Sequence, residues 1–380
     1  MGQYILFICL ILLQAIICFG FKRNNFTRKL FFLLMLAELG LIMGMRSVNV
    51  GEDTVNYYNI YLLCAGAGSL SSLSFLHLEY GYLLLNRALA YFSYSPQLLF
   101  VVTGFFIAFS TLRFIEKNTR IFWLGVIIYV TIGKFFYDMN ALRQALAVAI
   151  LLFSYPFIIK RKFIPFILIT VTASFIHTSA LFFTIIYFLY PLKLRLTNIF
   201  VYGAASVIGL TSFLFAVKYT PYAGYMQSIW WGLNFKPASF MLLMLSVCIF
   251  CFNFFCYCVK RKCEPSWENS FEGKEMKFLL FANIFLIEIT LLGFIGTIFA
   301  RLFIYMSVFY MISIPKAVSL LPKRNARALC ITVILLMTVI YQSVIIRYRP
   351  DWTAVIPYET YLSNPSNIRT KITINSAEFL

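Results

Sequence analysis

Residues 138–180 read DMNALRQALAVAILLFSYPFIIKRKFIPFILITVTASFIHTSA. Arg143 stands before sixteen residues that are almost all apolar, Lys160, Arg161 and Lys162 close that run, and a second apolar run leads to His177. About 20 apolar residues cross a hydrocarbon core of ~30 Å. The two runs therefore read as antiparallel membrane segments joined by a tight cationic turn, with Arg143 and His177 at one membrane face. An arginine there, with nothing acidic in the helix that follows, is costly unless it meets water, a partner or an anionic ligand.

The same pattern continues outward. Hydrophobic residues make up 61% of the 380, aromatic residues 19% and charged residues only 12%. That composition excludes a soluble domain. The net charge of +18 is not a nucleic-acid footprint, because Lys and Arg fall in short clusters between apolar runs rather than along one face. It is the positive-inside pattern. Eight of the nine cysteines, all but Cys64, lie in apolar runs or in the cationic loop holding Cys263. No disulfide framework or zinc site is expected.

Taken in order, the first run (Tyr4 to Phe21) has its cations after it rather than before it, the reverse of a signal peptide, and reads as an anchored helix with its N-terminus outside. Leu30 to Met45 returns outward to a long segment from Arg46 to about Arg87 that is too polar to span. Its tail, with Leu78, Tyr82 and Leu85 at helical spacing, suits an interfacial helix. Leu98 to Ile115 goes in and Phe122 to Phe136 comes out. The run from Phe163 to Tyr190 is 28 residues, about 42 Å as one helix, so a break near His177 is expected. Ile199–Val217, Ala238–Val259, Phe278–Ala300, Leu302–Leu320 and Ala328–Ile346 follow, with Lys260–Lys277 as the largest inner loop. The expectation is an all-α polytopic integral membrane protein of about twelve segments, both termini outside.

With most cations inside, Arg46, Arg143 and Arg301 stand out at the outer ends of helices. A guanidinium fork suits phosphate oxygens better than an ammonium does. One such arginine alone is more simply read as snorkelling to headgroups or pairing with Asp53, Glu79 or Asp138; three together with carboxylates and a histidine point to function. Glu38 and Glu288, inside apolar runs, read as a proton path or as polar contacts between helices. His177, beside Thr178 and Ser179 at a helix break, suits an aqueous cleft, whereas His77 reads as structural. Trp230, Trp231 and Trp352 fit an aromatic belt better than a sugar platform. No DxD, P-loop, HExxH or GxSxG pattern supports nucleotide-sugar, nucleotide or zinc chemistry. No metal or cofactor is called for.

At these residues the chain resembles the EpsG / Wzy group of bacterial polysaccharide polymerases. The matching pieces are Arg46, Gly51, Asp53, Tyr57 and Tyr61 (R-x4-G-x-D-x3-Y-x3-Y); Glu79-Tyr80-Gly81-Tyr82; Arg143-Gln144-Ala145-Leu146-Ala147; His177-Thr178-Ser179-Ala180-Leu181; and Arg301 followed by Tyr305. The resemblance implies a metal-independent glycosyltransferase of the broad GT-C type, an O-antigen or capsular polymerase in the bacterial inner membrane. Such an enzyme joins undecaprenyl-diphosphate-linked oligosaccharide repeat units at the periplasmic face. Residues 1–380 would form one multi-pass domain, with 46–97 as the first periplasmic segment and 347–380 as a periplasmic tail. Arg143 and Arg301 are expected on the diphosphate and Arg46 on diphosphate or sugar, with Tyr57, Gln144 and Tyr305 beside them. His177, Asp53 or Glu79 would serve as base or acceptor orienter. Donor and acceptor lipids, membrane lipids and a chain-length regulator are the expected partners. A flippase for the same lipid-linked saccharide, an O-antigen ligase and an acyltransferase are the competing readings.

Overall fold

The computed structural model describes residues 1–20, 24–189, 237–294, 298–350 and 354–363. Among these it is all-helical, with one isolated antiparallel bridge between Arg46 and Thr360. Helices α1 (Gly2–Phe19) and α2 (Asn25–Gly44) pack as neighbours. The Asn24 side chain caps α2 by accepting the Thr27 amide at 2.8 Å. α3 (Thr54–Gly66) and α4 (Tyr80–Phe92) pack on each other, and α5 (Gln97–Asn118) runs back along α2. The α2–α5 contact is close because it is built on Gly40, Gly44 and Gly104. A Cβ on Gly44 would lie 2.9 Å from the Val101 Cα, and one on Gly104 would lie 2.8 Å from the Met43 Cβ. Small residues let helix backbones approach in this way in a membrane.

Next, α6 (Phe122–Thr131) and α7 (Lys134–Asn140) form one apolar stretch bent by 57° at Ile132-Gly133. Gly133 takes a left-handed φ of 81°, which a residue without Cβ adopts freely. The expected straight segment 122–136 is thus a broken one. α8 (Leu142–Leu151) continues through a 3-10 turn into α9 (Tyr155–Ile159). α10 (Phe163–Ser174) ends at the expected break, and a 3-10 stretch from Thr178 leads into α11 (Ile185–Leu189). α12 (Pro237–Cys263), α13 (Phe271–Leu292), α14 (Ile298–Met306), α15 (Tyr310–Leu320) and α16 (Arg324–Tyr348) follow. The centre of the bundle is α6 and α15, where Leu124 to Thr131 are all buried.

Among the described residues, six helical stretches are long and apolar enough to cross a membrane: 2–19, 97–118, 142–159, 239–263, 301–320 and 324–348. The bent α6–α7 pair makes seven. The expected total of about twelve also needs α2 and α13, which carry Arg28, Lys29 and Glu38 and, on α13, Glu272, Lys274, Glu275, Lys277 and Glu288. It needs the short pieces 163–174 and 178–188 as well. Segment 199–217, Trp230, Trp231 and Trp352 lie outside the described residues.

Four placements differ from expectation. The Ser270 side chain accepts the Gly273 amide at 3.1 Å and starts α13 at Phe271 rather than Phe278. With α12 reaching Cys263, the expected inner loop 260–277 contracts to 264–270. Arg301 sits inside α14, one turn after its start, rather than at the end of an exiting helix. Leu78 lies before α4, because Glu79 is held extended by side-chain bonds; α4 buries Tyr82, Leu83, Asn86 and Ala90 instead.

One end of the bundle collects ion pairs: Glu116 with Arg28 and Arg113, Glu272 with Arg120, Glu268 with Arg261 and Lys277, and Glu275 with Lys316. At the other end the residues after α16 form a strap. The Ser47 amide donates to the Glu359 carbonyl at 2.8 Å, the Tyr361 amide to the Met45 carbonyl at 3.0 Å, and the Gly51 amide to the Ala354 carbonyl at 2.9 Å. Gln3 at the start of α1 exchanges two hydrogen bonds with the Tyr358 backbone, and the Tyr358 hydroxyl donates to the Ile42 carbonyl.

Candidate functional site

The break after α10 and the start of α4 meet over Glu79. Its Oε1 accepts the Thr178 amide at 2.9 Å and faces His177 Nδ1 at 2.9 Å, while its Oε2 accepts Arg143 Nη1 at 2.6 Å. Gly81 allows the meeting: a Cβ there would come within 2.5 Å of the Phe175 carbonyl oxygen. Three matching sequence pieces, separated by up to 99 positions, thus converge on one carboxylate. With Nδ1–H donated to Glu79, His177 Nε2 is left to accept a proton.

Burial alone would raise the Glu79 carboxyl, but the His177 bond, the Arg143 cation and the Thr178 amide outweigh it and hold it at about 2. A lowered carboxyl contributes stability above its ordinary value and loses it only as pH falls through about 2. The cluster is therefore intact across the neutral range. A carboxylate this acidic, with both oxygens engaged, orients its neighbours better than it takes a proton.

Beside the cluster lies a cavity of about 530 Å³, lined by Asp53, Tyr57, Arg143, Gln144, His177 and Arg301 among others. The R-x4-G-x-D-x3-Y-x3-Y spacing now has a geometric reason. Gly51 turns the chain with φ of 93°, and a Cβ there would meet Thr54 Oγ1 at 2.7 Å. Asp53 then opens α3, its amide donating to Asn140 Oδ1 at 3.1 Å. Tyr57 packs edge-on to Tyr82 at 6.3 Å, and the Tyr61 hydroxyl donates to the Ser93 carbonyl at 2.7 Å. Burial raises the Asp53 carboxyl, against a smaller downward pull from Arg301 and Arg143. Burial pushes the Tyr57 hydroxyl up to about 12.

The other named residues are placed around this core. Gln144 Nε2 donates to the Arg301 carbonyl at 2.6 Å, tying α8 to α14. Tyr305 is fully buried behind the wall, its hydroxyl 2.8 Å from Ser179 Oγ. Arg46 is also buried, 1% exposed, with Nη1 on the Met43 carbonyl and its guanidinium 4.6 Å from the Phe100 ring centroid; it does not line the cavity. Burial pulls its guanidinium down to about 10, so it stays charged at neutral pH. Arg143 lies 5.7 Å from the Tyr82 ring centroid, and its Nε has no hydrogen-bond partner within the protein.

Lys134, Gln342, Glu52 and Arg349 also line the cavity, and none of them stands out in the sequence as a site residue. Lys134 forms a buried ion pair with Asp138, which also accepts the Tyr129 hydroxyl at 2.7 Å. Asp138, weighed above as a partner for an arginine, is thus engaged by a lysine. The four-residue spacing from Lys134 to Asp138 was the available signal. Residues 29–360, which include every residue of this site, match the family model described as EpsG family. No curated protein and no solved structure matches the chain.

Proposed function

The chain belongs to the EpsG family, and from that premise we propose that it is a surface-polysaccharide polymerase acting on undecaprenyl-diphosphate-linked repeat units at the periplasmic face of a bacterial inner membrane. The observation that carries this reading is the Glu79-centred joining of Arg143 to His177 at the wall of a cavity that Arg301 and Asp53 also line. It combines a proton acceptor with cations, which is what transfer from a lipid diphosphate requires. In the proposed step the acceptor's sugar hydroxyl attacks the donor's anomeric carbon, and its proton passes to His177 Nε2. The new C–O bond forms as the bond from that carbon to the diphosphate oxygen breaks. The departing undecaprenyl diphosphate keeps the electron pair, and Arg143 and Arg301 stabilise its charge. Glu79 fixes the histidine's tautomer and ring orientation, while Asp53 orients the acceptor hydroxyl. Arg46 supports Tyr57 and Tyr82 from behind rather than touching substrate.

On this reading α2, α13 and the pair 163–188 join the seven spans above in a GT-C-like bundle of about twelve crossings. The ion-paired, cation-rich end faces the cytoplasm, in keeping with positive-inside charge. In a background without native cysteines, Ser71→Cys is expected to react with an impermeant thiol reagent in intact cells and Ser266→Cys is not; both positions are exposed. Labelling of Ser266→Cys alone would invert the topology and end the proposal. Purified protein given one synthetic lipid-linked repeat unit is expected to yield products of two and more units. A flippase would leave that substrate unchanged, and a ligase would need a different acceptor.

A further inference from the structure

The cavity has a second wall that the step above leaves unused. Within α16, only Thr338, Gln342 and Ile345 are buried. Together with Arg349 they are spaced by four, three and four residues, one stripe of the helix, and Gln342, Ile345 and Arg349 line the cavity. Gln342 is 1% exposed, and its amide Nε2 has no hydrogen-bond partner within the protein. A buried donor in that state is costly to keep.

The opposite wall is shaped to receive this side chain. A Cβ on Gly133 would lie 2.5 Å from Gln342 Oε1, so glycine leaves room for the amide. The 57° bend that follows carries Lys134 and Tyr137 onto the same cavity. Lys134 is neutralised by Asp138. The character of this end is therefore set by an amide donor, the rings of Tyr137 and Tyr341, and two charged groups, the Arg349 guanidinium and the Glu52 carboxylate. Gln342 and Arg349 are seven residues apart, about 10 Å along the helix, enough to pass more than one sugar ring.

Taking the polymerase reading as its basis, we infer that Gln342 and Arg349 form a saccharide subsite, separate from the diphosphate cations, that selects the repeat unit by its hydroxyl pattern. Hydroxyl oxygens accept from the amide and the guanidinium, and the ring faces lie against tyrosine. A site built to hydrogen-bond a particular hydroxyl discriminates strongly against a substrate lacking it. A polyprenyl chain would gain nothing here.

The test compares two ligands on purified protein: the lipid-linked repeat unit from the producing cells, and undecaprenyl diphosphate bearing no sugar. Gln342→Met and Arg349→Gln are each expected to weaken binding of the repeat unit by about 10-fold or more while leaving the Kd for undecaprenyl diphosphate within about 2-fold. Arg143→Lys should weaken both ligands. Equal weakening of the two ligands by Gln342→Met would assign this wall to the diphosphate and overturn the proposal, as would no change in either. Should Gln342→Met fail to fold, Arg349→Gln at the cavity rim decides alone. If wild-type protein binds the repeat unit but not undecaprenyl diphosphate, the diphosphate assignment in the polymerase reading fails, and repeat-unit binding weakened about 10-fold in both variants, with Arg143→Lys unchanged, still upholds the subsite.

Discussion

Arg143→Lys is expected to stop polymer formation while the protein remains in the membrane at its normal level. In the folded protein one guanidinium nitrogen is committed to Glu79 at 2.6 Å, and Nε has no partner within the protein. The planar group can thus hold the carboxylate with one nitrogen and present others to phosphate oxygens. A lysine ammonium is a single point and cannot keep both. If it stays on Glu79 the leaving group loses its donor, and if it turns to the diphosphate it releases the carboxylate that orients His177. Removing one preorganised donor of this kind costs about 10²- to 10³-fold in rate, which at cellular substrate levels leaves single units and few chains. The readout is surface polysaccharide length on a gel, normalised to membrane protein. Full-length polymer from Arg143→Lys would reduce the residue's role to its charge.

His177→Ala and Arg301→Ala are expected to give a second, diagnostic phenotype. Single repeat units should still reach the cell surface, attached to the lipid anchor that normally receives the polymer, because on the proposed reading export precedes polymerisation. Loss of a general base costs about 10²- to 10⁴-fold, so traces of short chain are expected with His177→Ala. On the proposed reading Arg301→Ala removes stabilisation of the leaving group, and it also removes the larger of the two cationic pulls on the Asp53 carboxyl. The bundle should tolerate both changes: the His177 side chain is 22% exposed and Arg301 is exposed at the start of its segment. If either variant at normal level displays no surface unit at all, these residues serve transport and not polymerisation.

Much of this arrangement was legible along the chain. Equal apolar runs on either side of Lys160–Lys162 force Arg143 and His177 to one face, and the excess length of 163–190 forces the break that exposes His177; both follow from how far a helix reaches. What could not be read was which carboxylate would join them. Glu79, Asp53 and Asp138 all stood within plausible reach, and the choice fell to tertiary packing, with Gly81 against the Phe175 backbone delivering Glu79 and Lys134 taking Asp138. Arg46, in the same matching piece as Asp53, is expected on diphosphate or sugar as one of three arginines at the outer ends of helices. The turn at Gly51 separates the two, leaving Arg46 against Phe100. Gln342 escaped notice because one amide in an apolar run looks like any contact between helices until its neighbours are known.

The strap has a consequence in time. The loop that carries Asp53 is fastened by hydrogen bonds to Ala354, Glu359 and Tyr361, residues made about 300 positions later, which at 5–20 residues per second is roughly 15–60 s of synthesis. Until those residues emerge, the loop lacks three of its backbone bonds, and α16, made just before them, has only begun to bring Gln342 and Arg349 to the cavity. A nascent chain with most of these helices already made therefore holds its arginines without a finished site until residues 354–361 have been added.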